Sequence, residues 1–71
     1  MVRIEVLYRG RKVELHFEKD KVTADDVLKA LGLSRQYAFV VKNGEVVSEE
    51  EPIKPEDQVR VINAISGGKN L

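Results

Sequence analysis

One stretch of this chain repeats its apolar residues with the period of a helix. In "VTADDVLKALGL", Ala24, Val27, Leu28 and Leu31 form a stripe along one helix face. Both ends carry boundary signals. Thr23 can cap the start, Asp25 and Asp26 put negative charge in the first turn, and Val22 and Val27 are placed as a hydrophobic staple. Gly32 suits a left-handed stop, with Leu33 positioned to fold back on Leu28. These limits predict a helix of about nine residues. The other patterned stretches of the 71 residues alternate with period two, so a single helix must cover a sheet.

"VRIEVLY" puts Val2, Ile4, Val6 and Tyr8 on one face and Arg3, Glu5 and Leu7 on the other, the pattern of a half-buried strand. "RGRK" turns the chain, and "VELHFE" sends Val13, Leu15 and Phe17 inward, completing a hairpin. "YAFVVK" is a third strand with Tyr37, Phe39 and Val41 on one face, which leaves Val40 on the outward phase. Asn43-Gly44 is a strong hairpin signal, so "EVV" should turn back beside it. "SEEEPIKPEDQ" holds both prolines and reads as a loop, with a short helical turn around Pro55. "QVRVINAI" is the last strand, with Val59 and Val61 inward.

The predicted order is β-β-α-β-β(short)-β. With the first and last strands side by side at the centre, the helix becomes the crossover from the N-terminal hairpin. That is an α+β, β-grasp arrangement: a mixed sheet of four to five strands with one main helix packed on one face. Residues 1–65 form the single domain, and 66–71 form a flexible tail that carries Gly67 and Gly68.

Composition narrows the function. Hydrophobic residues make up 42%, enough for a small core. No apolar run approaches the roughly 20 residues of a membrane span, and no secretory leader is expected. The absence of cysteine removes disulfides, thiolate metal sites and Cys nucleophiles, and makes the cytoplasm the expected compartment. Twelve basic and twelve acidic residues cancel, so neither a membrane nor a nucleic-acid partner is expected.

Catalytic groups are sparse. His16 is the sole histidine and reads as an exposed strand residue without an orienting partner. Ser34, Ser48 and Ser66 have no base nearby in sequence. Glu49, Glu50 and Glu51 flank a proline and read as a solvated loop rather than a cation site. Arg9, Arg11 and Lys12 could touch a phosphate but read as a solubilising turn. Gly67-Gly68 opens no helix, so it is no phosphate-cradling loop.

The outward apolar residues are more telling. Leu7, Val40 and Ile62 fall on the outward phase of strands expected to be neighbours, and Ala64 and Ile65 extend apolar character toward the tail. Three such residues on adjacent strands form a docking patch.

The stretch "VVKNGEVVSEEEPIKPEDQVRVINAISGG", with the "ADDVLKALGL" helix before it, resembles the ubiquitin-like sulfur carriers of the ThiS and MoaD group, and ThiS-type proteins in particular. The likeness runs through the whole domain and is densest in its second half. It implies a β-grasp fold and a chemistry carried by the C-terminus, with no cofactor held stably. An ATP-dependent adenylating enzyme would dock on the open sheet face and activate the carboxylate of Gly68, preceded by Gly67. Sulfur from a donor protein would give a thiocarboxylate for a downstream biosynthetic enzyme. On this resemblance Leu7, Val40, Ile62 and Ala64 form the docking face. The chain would be a carrier and co-substrate, not itself an enzyme.

Lys69-Asn70-Leu71 follows Gly68, so the carrier reading requires removal of these three residues to free the carboxylate. Thiamin thiazole is the favoured destination, with molybdopterin and tRNA thiolation also open. The alternatives are a small protein modifier conjugated to lysines through the same glycine, and a non-covalent β-grasp interaction module.

Overall fold

The computed structural model describes residues 1–63. Strands β1 (Val2–Tyr8) and β2 (Arg11–Phe17) form an antiparallel hairpin in which Tyr8 pairs with Arg11. Arg9 and Gly10 join them at φ 56° and 77°, the doubly positive pattern of a type I′ turn. The short strand β3 (Val22–Thr23) leads into helix α1 (Ala24–Ala30). Strands β4 (Ala38–Lys42) and β5 (Glu45–Val47) form the second hairpin, again through two residues of positive φ, Asn43 and Gly44. Strands β6 (Pro52–Ile53) and β7 (Val59–Asn63) complete the described residues.

The main sheet has five strands in the order β2-β1-β7-β4-β5, and β1 and β7 run parallel near its centre. The parallel pair requires a crossover, and α1 lies within it, between the two hairpins. This is the β-grasp arrangement expected from the sequence.

The helix ends are built as their sequence indicates. The Asp26 backbone N–H donates to Thr23 Oγ1 at 3.3 Å, and the Thr23 backbone N–H donates to Asp26 Oδ2 at 3.0 Å, closing a capping box. At the far end the Gly32 N–H donates to the Lys29 carbonyl and the Leu33 N–H to that of Leu28, with Gly32 at φ 74°. That pair of bonds is a Schellman stop, and it returns Leu33 to the core. The helix spans seven residues, about half a turn less than its pattern predicted.

Ile4, Val6, Leu15, Ala38, Val40, Val59 and Val61 of the sheet share one buried cluster with Ala24, Val27 and Leu28 of α1. The segment expected to be a plain loop contributes to it as well. Pro52 and Ile53 pair with Thr23 and Val22 in a second, two-stranded sheet, and Ile53 is only 3% exposed. Pro52 is tolerated there because the strand is an edge of a two-residue ladder. Around Pro55 the chain makes a turn, closed by Asp57 N–H to the Lys54 carbonyl at 3.0 Å, rather than a helical turn. Lys42 holds this segment in place, with Nζ at 2.9 Å from both Glu51 Oε2 and the Pro52 carbonyl oxygen.

Candidate docking face

The face of the main sheet turned away from α1 divides into two halves. Where β2 and β1 meet, it is charged: Arg3 Nε lies 3.1 Å from Glu14 Oε2, and His16 Nε2 lies 3.5 Å from Glu14 Oε1. Across β7, β4 and β5 it is apolar. Paired residues share a face, so the register builds one row from Leu7, Arg60, Val41 and Val46 and a second from Ile62 and Phe39. Ile62 is 38% exposed and Val46 is 65% exposed, while Leu7, Phe39 and Val41 are half-buried. Five apolar side chains thus surround Arg60, with Lys12 of β2 paired to Leu7 at their edge.

The sequence reading is corrected at β4. Val40 is 1% exposed and packs in the core beneath the sheet, so it cannot belong to a docking face. It pairs with Val61 and Val47, whereas Phe39 pairs with Ile62 and Val41 with Val46. Both phases of "AFVV" are apolar, and alternation alone favoured the bulkier set as core. Packing chooses Ala38 and Val40 for the buried side, and both lie in the same cluster as Ala24 and Leu28 of α1. Tyr37 precedes the strand in a turn, where its N–H donates to the Ser34 carbonyl, and it is half exposed. Leu7 and Ile62 lie on the open face. Ala64, Gly67 and Gly68 lie outside the described residues.

Three acids of the proline-containing segment have structural partners. Glu51 is bound to Lys42, and Glu49 Oε2 receives Arg35 Nη1 at 3.2 Å. Asp57 accepts hydrogen bonds from the Lys54 N–H and the Asn43 side chain, and its carboxyl is held below the ordinary value mainly by that backbone bond. Lys42 is held above its ordinary value chiefly by its bond to Glu51. These shifts describe a braced loop, not a reactive pair. No group of three or more His, Asp or Glu side chains suited to a metal ion occurs among the described residues. No helix among them is long and apolar enough to cross a membrane.

The five-stranded sheet with parallel central strands, its single covering helix and its apolar open face define a ubiquitin-like β-grasp protein. The family model of the ThiS family matches residues 6–68, and the chain belongs to that family of sulfur carriers. Two solved structures share the fold. Thiamine biosynthesis protein ThiS from Geobacter metallireducens is 20% identical, with a TM-score of 0.59 over 84% of this chain and 93% of its own. ATBAG1, crystallised in complex with HSP70, is 13% identical with a TM-score of 0.74, over 99% of this chain and 44% of its own. This chain therefore spans less than half of that second protein.

Proposed function

We propose that this protein carries sulfur on the carboxylate of Gly68, after Lys69-Asn70-Leu71 has been removed. Residues 1–65 are the folded body, and 66–71 are the tail that bears Gly67 and Gly68. An ATP-dependent adenylating enzyme docks on Leu7, Phe39, Val41, Val46 and Ile62, with Ala64 extending the contact. A carboxylate oxygen of Gly68 attacks the α-phosphorus of ATP and releases pyrophosphate. Sulfur from a donor protein then displaces AMP at the acyl carbon, and the thiocarboxylate delivers sulfur to a downstream biosynthetic enzyme, thiazole formation being the favoured use. The nucleotide site and the catalytic groups belong to the partner.

The observation that carries this reading is the family match, which extends through Gly68. The apolar half of the open face supports it, because a carrier without catalytic groups needs a surface by which to be held. Glycines suit the tail: without side chains they enter a narrow channel and accept positive φ wherever the partner requires it.

Intact mass spectrometry of the protein isolated from its native cells tests the proposal. Loss of the last three residues together with an oxygen-to-sulfur mass increase is the expected result. Adducts on lysines of other proteins would favour a protein modifier instead. Native protein that uniformly retained Leu71 would refute both covalent readings and leave a non-covalent module.

A further inference from the structure

At the end of β7 nearest the tail, an open groove of about 630 Å³ runs across the docking face. Leu7 and Ile62 supply its apolar lining, and Arg9 and Arg60 supply its charge; among the described residues no acidic side chain lines it. Among the described residues neither guanidinium has an ion-pair partner, although Arg9 lies over the Tyr8 ring at 5.9 Å from its centroid. Glu14 pairs with Arg3, while Glu5, Glu56 and Asp57 line a neighbouring groove that Arg60 and Lys12 also border.

The backbone marks Arg9 as well. It sits at φ 56°, in the left-handed region, at the first central position of a two-residue turn. The second hairpin places Asn43 at the corresponding position with φ 52°, and asparagine is one of the residues that tolerates this conformation best. The first hairpin carries a long cation where a better turn former was possible. Strain held at a surface position points to a use for the side chain.

We propose that this groove receives a carboxylate from the adenylating partner, an Asp or Glu set among apolar side chains, clamped between Arg60 and Arg9. The inference rests on the carrier reading and adds the chemistry of the partner's surface. Apolar flanks meet Leu7 and Ile62, and the carboxylate neutralises the two guanidiniums as water leaves. A second copy of this chain fits poorly, since it would bring the same cations to the shared interface. A phosphate backbone would leave the apolar lining uncovered. The clamp lies at Asn63, five residues before Gly68 in the sequence, a span of at most about 18 Å when extended. It would therefore fix the origin of the tail within reach of the partner's nucleotide.

Binding and pyrophosphate exchange with the adenylating enzyme of the same organism test this, using chains that end at Gly68 and carry the wild-type sequence, Arg60→Gln or Arg9→Asn, at low and high salt. Each substitution is expected to weaken affinity on the order of tenfold or more and to flatten its salt dependence. Arg9→Asn is expected to leave the melting temperature unchanged or higher, which separates a binding role from a folding role. Wild-type affinity in both variants would overturn the clamp while leaving the carrier reading intact. A wild-type protein that neither binds nor supports exchange would overturn both. A wild-type dimer that Arg60→Gln dissociates would assign the groove to a second copy and overturn the proposal.

Discussion

Val40 and Val41 are adjacent, both apolar and both in β4, yet they should respond to truncation very differently. Val40 is 1% exposed, so Val40→Ala removes two buried methyl groups at about 0.8 kcal/mol each and leaves a partly collapsed cavity. The sum is about 2–3 kcal/mol. A domain of this length has a total stability of about 4–10 kcal/mol, so the variant stays folded at room temperature. Its melting temperature should fall by roughly 10–20 °C. Val41 is half-buried on the open face, and Val41→Ala should destabilise by about 1 kcal/mol or less. Function should show the reverse order. In chains that end at Gly68, Val40→Ala, assayed below its melting range, should support pyrophosphate exchange as well as wild type, whereas Val41→Glu should lose it. Thermal melts by circular dichroism and exchange rates on the same preparations make the comparison. A larger melting shift for Val41→Ala than for Val40→Ala would mean the β4 phase is reversed, and the docking face described above would fall with it.

Further outcomes follow from single residues. Ile62→Glu should leave the melting temperature within a few degrees, because the side chain is already 38% exposed, while association with the adenylating enzyme drops sharply; a collapse in stability would place Ile62 in the core. Gly32→Ala should destabilise by about 1–2 kcal/mol through its φ of 74° alone, since an added Cβ meets nothing within 4 Å; denaturant titration would show it as a lower midpoint at an unchanged slope. Burial pushes the Asp26 carboxyl up, but hydrogen bonds from the Lys19 ammonium and the Thr23 backbone and hydroxyl outweigh it and hold the group below 3.8. Its folded value lies beneath its unfolded one, so the unfolded chain binds the proton first and stability falls as pH drops through that window. Asp26→Asn should therefore flatten the acid limb of the stability profile below about pH 4, and an unchanged limb would remove Asp26 from that account.

The parts most legible in the sequence were those specified by neighbouring residues. Both helix ends could be read from Thr23, Asp26, Gly32 and Leu33, because capping involves groups a few residues apart. Asn43-Gly44 announced its hairpin, and the alternation of β1 assigned Leu7 to the open face. Ile53 was not legible. It lies between two prolines in an acidic stretch, and its burial depends on pairing with Val22, thirty-one positions earlier.

The docking face divides along the same line. Leu7 and Ile62 stand in strands whose other phase is plainly core, Val6 beside one and Val61 beside the other, so period two sufficed for them. In β4 both phases are apolar, and period two has no preference between them. Ladder pairing with β7 and close packing beneath α1 buried Val40 and turned Phe39 and Val41 outward. The sequence by itself determined one capped helix, two hairpins and a terminal glycine pair, since each is written in contiguous residues. The tertiary structure alone decided which half of the open face is apolar and that Arg9 and Arg60 share one groove, because those juxtapositions arise only when β1 and β7 lie side by side.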